Sequence, residues 1–234
     1  MGDDPPQEKI LVAADRDRAA GAGAARAAFQ HGGGAVYLYA LLKSLRKRFV
    51  ILDRDGTIVV ERNYLSDPDE LQLVSGAGEA LAQLQSSGLG LVVVTNQSGI
   101  GRGYFDLNQL TKIHDRLRDL LAAEGVRLDG IYFCPHQPDE NCNCRKPATG
   151  MIERAAKELD FDPADSFVVG DNVCDIELGQ RAGATTILVR TGYGEEVAAR
   201  RQARPNFVVD DITEASSLIN TLIQKKNYRQ GIAI

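Results

Sequence analysis

Between residues 49 and 209, short apolar runs alternate with stretches in which apolar residues recur every three or four positions. Phe49-Val-Ile-Leu52 runs into Asp53, and Leu91-Val-Val-Val-Thr95, Ile131-Tyr-Phe133, Phe167-Val-Val-Gly170, Thr186-Ile-Leu-Val189 and Phe207-Val-Val209 repeat the pattern. Short runs apolar at every position predict strands covered on both faces, as in a parallel sheet. Helical spacing occupies Gly76–Ser87, Leu107–Glu124, Met151–Leu159 and Cys174–Ala182, and the second of these places Leu110, Ile113, Leu117, Leu120 and Leu121 on one face. Strands alternating with amphipathic helices predict an α/β fold, a doubly wound and mainly parallel sheet of Rossmann type. Such sheets take ligands at the carboxyl ends of their strands, so the polar residues there are the candidates for chemistry.

Residues 1–47 break the pattern: Leu11–Gly34 is mostly Ala and Gly with scattered Arg and Asp and no apolar period. This predicts a flexible low-complexity extension, with a short helix over Val36–Lys47. A single domain is expected over 48–225, followed by a C-terminal tail over 226–234.

Composition narrows the class. With 234 residues, 44% hydrophobic and a net charge of −5, the chain can fill a core and lacks the basic surplus of a nucleic-acid or membrane-surface binder. No apolar run reaches the roughly 18 residues of a membrane span. The start, Met-Gly-Asp-Asp-Pro-Pro, has no basic segment leading into an apolar run, and a cytoplasmic protein is expected.

Three of the four Cys and one of the three His fall between positions 134 and 144. Cys134-Pro-His136 and Cys142-Asn-Cys144 supply three thiolates and an imidazole, the donor set of a closed tetrahedral Zn²⁺ site. With all four positions taken by protein the zinc is structural, and it would order Arg145-Lys146 directly behind it. Cys174 stands apart and reads as a packing residue at a helix N-terminus; His31 and His114 carry no chemistry in this reading.

Three strand ends bear polar residues: Asp53-Arg-Asp-Gly-Thr57, Thr95-Asn-Gln-Ser98 and Gly170-Asp171, with Asp175 four residues later. In a doubly wound sheet these converge on one crevice with Arg145-Lys146-Pro147. Asp53, Asp55 and Asp171 together repel one another unless a cation neutralises them, and all-oxygen donors suit Mg²⁺. Mg²⁺ with Lys146 and the Thr95 hydroxyl makes a site for a phosphoryl dianion. One carboxylate can attack phosphorus, and another two residues on can serve as general acid and then base.

These motifs, in this order over roughly Phe49–Val209, resemble the haloacid dehalogenase (HAD) superfamily of phosphotransferases. The resemblance implies a HAD-like fold, Asp53 as nucleophile and Asp55 as proton donor and acceptor. It further implies Thr95 and Lys146 on the phosphoryl group, and Mg²⁺ held by Asp53, the Asp55 carbonyl and Asp171 with Asp175 orienting the site. Dehalogenases of the superfamily lack an Asp at position 55, because a halide leaves without a proton; the resemblance is to a phosphatase. The spacings from Asp55 to Thr95 and from Thr95 to Lys146 leave no room for a large lid (cap) domain.

A cysteine loop in a lidless phosphatase resembles two groups, the D-glycero-D-manno-heptose 1,7-bisphosphate 7-phosphatases and the histidinol-phosphate phosphatases. Thr95-Asn-Gln-Ser-Gly-Ile-Gly-Arg-Gly103, Arg145-Lys-Pro147 and Val189-Arg-Thr-Gly192 resemble the first group, and the second tends to carry Asp in place of Ser98. What is implied is hydrolysis of a small-molecule sugar phosphate by a monomer, supplying heptose for lipopolysaccharide or other surface glycans. Histidinol phosphate is the alternative substrate, and a non-catalytic phosphate-binding module is the third reading. Substrate contacts are implied for Glu61, Arg62, Asn63 and Tyr64, for Asn96, Gln97 and Ser98, and for Arg145, whose fork suits a second phosphate. Asn172 is a further expected contact, standing where the heptose enzymes often carry Lys.

Overall fold

Each of the six apolar runs forms a strand in the computed structural model, which describes residues 46–229 with side chains through Lys225. The strands are β1 (Phe49–Leu52), β2 (Gly90–Asn96), β3 (Gly130–Cys134), β4 (Phe167–Gly170), β5 (Thr185–Val189) and β6 (Phe207–Val209). They make one sheet in the order β3-β2-β1-β4-β5-β6, with every neighbouring pair parallel. The direction of winding reverses between β1 and β4, and there the crevice of a doubly wound sheet opens.

The helices are α1 (Ala77–Ser86), α2 (Ser98–Gly101), α3 (Leu107–Ala123), α4 (Gly150–Leu159), α5 (Val173–Arg181), α6 (Gly194–Ala199) and α7 (Ile212–Arg229). The four helices predicted from spacing are present within a residue or so at each end. Three more, α2, α6 and α7, lie where the periodic signal is short or mixed, and α7 runs across position 225, where a tail was expected to begin. The extension expected over the N-terminal residues, including the helix over Val36–Lys47, lies outside the described residues up to position 45; Arg46 and Lys47 are described and are not helical.

Strand side chains alternate between two cores. Val50, Leu52, Leu91, Val93, Phe167, Val169, Ile187 and Val189 pack with Leu81, Leu84, Leu117, Leu121 and Ile219 from α1, α3 and α7. Phe49, Ile51, Val92, Val94 and Val168 pack on the other face with Met151, Ile152, Ala155 and Leu178 from α4 and α5. Two-sided burial explains why the strands read as continuous apolar runs. His114, for which the sequence predicts no chemistry, sits within α3 on its buried side. Burial, with Arg54 and Arg118 nearby, holds the His114 imidazole far below its ordinary pKa and hence neutral.

Register sets the level of the chemistry. Leu52 pairs with Val93 on one side and Val169 on the other, so Asp53 emerges between β2 and β4, and its N–H donates to Val169 O at 2.9 Å. β2 continues through Thr95 and Asn96 beside Phe133 and Cys134, which brings the cysteine loop alongside the crevice. Among the described residues no helix is long and apolar enough to cross a membrane.

Leu81 is fully buried between α1, the sheet and α7. Leu81→Ala is expected to cost about 2–5 kcal/mol of folding stability, measured as a lower urea midpoint with an unchanged slope. A loss below about 1 kcal/mol would mean that the site collapses around the deletion rather than supporting a rigid core.

Candidate active site

The strand-end residues meet in one cavity of about 400 Å³ lined by Asp53, Asp55, Glu61, Asn63, Tyr64, Thr95, Asn96, Gln97, Ser98, Arg145, Lys146, Asp171 and Asn172. Of the expected substrate contacts, Arg62 is not brought there; its Nη2 donates instead to Gln72 Oε1 at 2.9 Å.

Lys146 is the centre of the charge arrangement. Its Nζ lies 2.6 Å from Asp53 Oδ1 and 2.6 Å from Asp175 Oδ1. Burial works against the ammonium, but Asp175 and Asp53 outweigh it and hold the Lys146 pKa above its ordinary value. The lysine is positioned through its own main chain: Asn96 Oδ1 accepts from Lys146 N at 3.0 Å, and Asn96 Nδ2 donates to Lys146 O at 3.3 Å. Both ends of the Asn96 amide are therefore spent on locking the loop to the end of β2.

One ammonium does not balance the carboxylates around it. Burial pushes Asp53 up to about 7; Lys146 opposes the rise, while Asp175 and Asp55 add to it. Burial also pushes Asp171 up to about 8, with Asp53 and Asp175 adding repulsion. The carboxylate oxygens of Asp53, Asp171 and Asp175 approach within 4.8 Å of one another. Such crowding of hard oxygen donors is the environment a divalent cation relieves.

Asp171 sits in a cradle of main chain. Its Oδ2 accepts from Tyr193 N at 2.8 Å, and a Cβ on either Gly56 or Gly192 would fall on its carboxylate. Both glycines have positive φ, 80° and 55°, so these positions exclude side chains on two counts. Asp175 lies behind, its Oδ2 accepting from Asn172 N at 3.0 Å at the start of α5. It caps the helix and anchors Lys146 at once.

Asp55 is held differently. Arg54 Nε lies 3.0 Å from each Asp55 carboxylate oxygen, and Arg54 Nη2 lies 2.8 Å from Oδ2. Gln97 Nε2 donates to Asp55 Oδ2 at 2.9 Å and to Thr95 Oγ1 at 2.8 Å, tying the end of β2 to the loop after β1. Arg54 and Tyr193 also line the cavity, although neither stood out in sequence. Arg54 lies between two motif aspartates and is only 1% exposed, a burial that no periodicity signals for an arginine in a loop. Tyr193 follows β5 after three residues, and the strand-end rule extended to that strand finds it.

The cysteine cluster assembles beside this cavity. Cys134 Sγ is 3.5 Å from His136 Nδ1, 3.6 Å from Cys142 Sγ and 3.2 Å from Cys144 Sγ, and His136 Nδ1 is 3.2 Å from Cys144 Sγ. All four donor atoms lie within 4.8 Å of one another. The edge of a tetrahedron with Zn–S bonds is roughly 3.7 Å, so the donors stand at the right separation for that ion. Burial pushes the Cys134 thiol up, with the Cys144 thiol adding to the rise, so a thiolate at this position calls for a cation. Arg145, directly after the cluster, donates from Nη1 to His136 O at 3.2 Å, which links the cluster to the cavity wall.

Comparison with known proteins agrees with this geometry. The HAD-hydrolase-like family model matches residues 143–215. The D-glycero-beta-D-manno-heptose-1,7-bisphosphate 7-phosphatase of Pasteurella multocida is 43% identical over 183 residues, covering 75% of this chain and 98% of that protein. The protein of the same name from Haemophilus ducreyi is 41% identical over 182 residues, 74% of this chain and 99% of its own. Among solved structures, the D,D-heptose 1,7-bisphosphate phosphatase of B. bronchiseptica, complexed with magnesium and phosphate, superposes with a TM-score of 0.70 at 36% identity, over 76% of this chain and 99% of that one. The corresponding Burkholderia thailandensis enzyme has a TM-score of 0.59 at 36% identity, over 74% and 98% of the two chains. At this identity and coverage, with the strand-end aspartates and the lysine gathered in one crevice, the chain belongs to the D-glycero-beta-D-manno-heptose-1,7-bisphosphate 7-phosphatase family of HAD-like hydrolases.

Proposed function

We propose that the protein hydrolyses the 7-phosphate of D-glycero-beta-D-manno-heptose 1,7-bisphosphate through an aspartyl-phosphate on Asp53. The observation that carries this reading is the convergence of Asp53, Asp55, Asp171 and Lys146 on one cavity at the β1–β4 switch point, with Asp175 on Lys146 from behind. The named relatives supply the substrate. The preference over histidinol phosphate rests on those relatives and on Ser98, which lines the cavity where the alternative group tends to carry a carboxylate.

Asp53 attacks phosphorus, and the bond to the substrate's ester oxygen breaks as Asp55 delivers a proton to that oxygen. Asp55, now a carboxylate, takes a proton from water as that water attacks the aspartyl-phosphate, and inorganic phosphate leaves with Asp53 regenerated. Lys146 and the Thr95 hydroxyl hold the equatorial phosphoryl oxygens, where charge accumulates in the transition state. Gln97 and Arg54 fix the Asp55 side chain so that proton transfer does not wait on a rotamer search. Mg²⁺, held by Asp53, the Asp55 carbonyl and Asp171, would offset the charge of the carboxylates and of the incoming dianion. Asp175 orients the site by anchoring Lys146 from behind. Arg145 is placed for the remaining phosphate of a bisphosphate.

We infer a structural Zn²⁺ at Cys134, His136, Cys142 and Cys144, because all four donors are protein side chains and none is left for substrate. Its role is to stiffen the loop that presents Arg145 and Lys146.

Three outcomes test this reading. With Mg²⁺ present, heptose bisphosphate is expected to release phosphate at a kcat/KM at least about tenfold above that of histidinol phosphate, each 1.4 kcal/mol of transition-state preference being one decade; the reverse order would overturn the substrate assignment. Asp53→Asn is expected to lower phosphate release by roughly 10⁴-fold or more, and Asp55→Asn by about 10²–10⁴-fold; near-normal turnover in either would remove that residue from its role. Elemental analysis is expected to find one zinc per chain, and Cys142→Ser to lose it together with several degrees of melting temperature. A zinc-free protein of unchanged melting temperature would refute the metal loop.

A further inference from the structure

Tyr193 belongs to none of the motifs above, yet it connects the two walls of the cavity. Its N–H is pinned to Asp171 Oδ2 at 2.8 Å, and its phenol donates to Asn63 Oδ1 at 3.2 Å. The ring lines the cavity and is 44% exposed, so it is available to a ligand.

The loop it reaches is held in an unusual shape. Asn63 and Tyr64 have successive positive φ values of 45° and 67°, a conformation that L residues keep only when their surroundings hold it. Glu61 Oε1 accepts from Asn63 N at 2.7 Å, and the Tyr64 ring meets Tyr104 edge-on with centroids 4.9 Å apart. The Arg102 guanidinium lies 6.0 Å from the Tyr64 ring centre. Among the described residues, the Tyr193 phenol makes the hydrogen bond that joins this loop to the wall after β5.

The chemistry of this rim is distinctive. Glu61, Asn63 and Tyr193 line it with a carboxylate, an amide and a phenol, and none of them is cationic. After the Tyr193–Asn63 bond is made, the phenol oxygen still accepts and Asn63 Nδ2 still donates. The Glu61 carboxylate disfavours a second phosphate at this rim, the amide and the phenol suit hydroxyl groups, and the aromatic face covers a C–H surface of a sugar. Arg145, which also lines the cavity, follows the cysteine loop beside β2 and β3, on the other side of the β1–β4 switch from Tyr193.

We propose that Tyr193 is a specificity-determining residue: its phenol positions Asn63, an expected substrate contact, holds the 61–64 loop, and with that amide binds the hydroxyl-bearing body of a polyol phosphate. The proposal rests on the phosphatase reading above and adds the element that separates a polyol ester from a plain phosphate ester.

The test compares wild type, Tyr193→Phe, Asn63→Gly and the double variant on heptose bisphosphate, fructose 1,6-bisphosphate and p-nitrophenyl phosphate. Phenylalanine keeps the ring and the main-chain bond to Asp171, and glycine accepts the positive φ at position 63. Loss of one neutral hydrogen-bonding group is expected to lower the kcat/KM ratio of sugar phosphate to p-nitrophenyl phosphate by roughly fivefold in each single variant. The loss should appear in the sugar KM, and the double variant should fall no further than the worse single one, because the two side chains act as a unit. An unchanged ratio, or equal losses on all three esters, would overturn the proposal, as would a wild-type preference for p-nitrophenyl phosphate over both sugars. Wild-type inactivity on the heptose alongside turnover of fructose 1,6-bisphosphate would overturn the substrate assignment instead, and the Tyr193 ratio would then be read on fructose bisphosphate.

Discussion

The crowding of carboxylates around one buried lysine governs the rest of this structure. Asp53 and Asp175 grip Lys146 from two sides, and Asp171 and Asp55 add charge to the same crevice. A site so charged is unstable in isolation, and the surrounding fold is arranged to tolerate it. Two glycines make way for the Asp171 carboxylate, the N–H of Asn172 meets Asp175, and Arg54 with Gln97 restrains Asp55. The residual imbalance, visible as Asp53 and Asp171 pushed up to about 7 and 8, is what a divalent cation and a phosphoryl group would exploit in the proposed reaction.

The lysine itself depends on the loop that carries it. Asn96 clamps its main chain, and the thiol–imidazole cluster begins at Cys134, the last residue of β3, and closes at Cys144, two residues before Lys146. Under the proposed zinc, a few short side chains do the stiffening that would otherwise need many apolar contacts, and the cavity stays open above. Among the described residues no large cap covers the site, so in the proposed function recognition would fall to rim residues. Under the proposals made for this site, Arg145 on one side and Tyr193 with Asn63 on the other would divide the charged and hydroxylated parts of the substrate between them.

Much of this was legible along the chain. Six apolar runs became six strands because burial on both faces leaves no polar alternation to confuse the pattern. The aspartates, Thr95 and Lys146 were legible because strand ends of a doubly wound sheet have one destination, and the metal-loop donors because their spacing is local. The short helices α2 and α6 were not, since one or two turns leave too few periods to see. Arg62 lies on Gln72 and not in the cavity lining, because adjacency to Glu61 and Asn63 in sequence does not decide which way a side chain leaves a loop with left-handed residues.

The sequence by itself determined the layering, the chemical types at each strand end and the thiol–imidazole donor set, because these follow from burial period, topology and local spacing. The tertiary structure decided which side chains act together. It tied Asn96, which lines the cavity, to the Lys146 main chain, and turned the buried Arg54 onto Asp55. It also carried Tyr193 across to Asn63, a partner 130 residues away. Contacts of that span depend on register and on loop direction, which no short window of residues encodes.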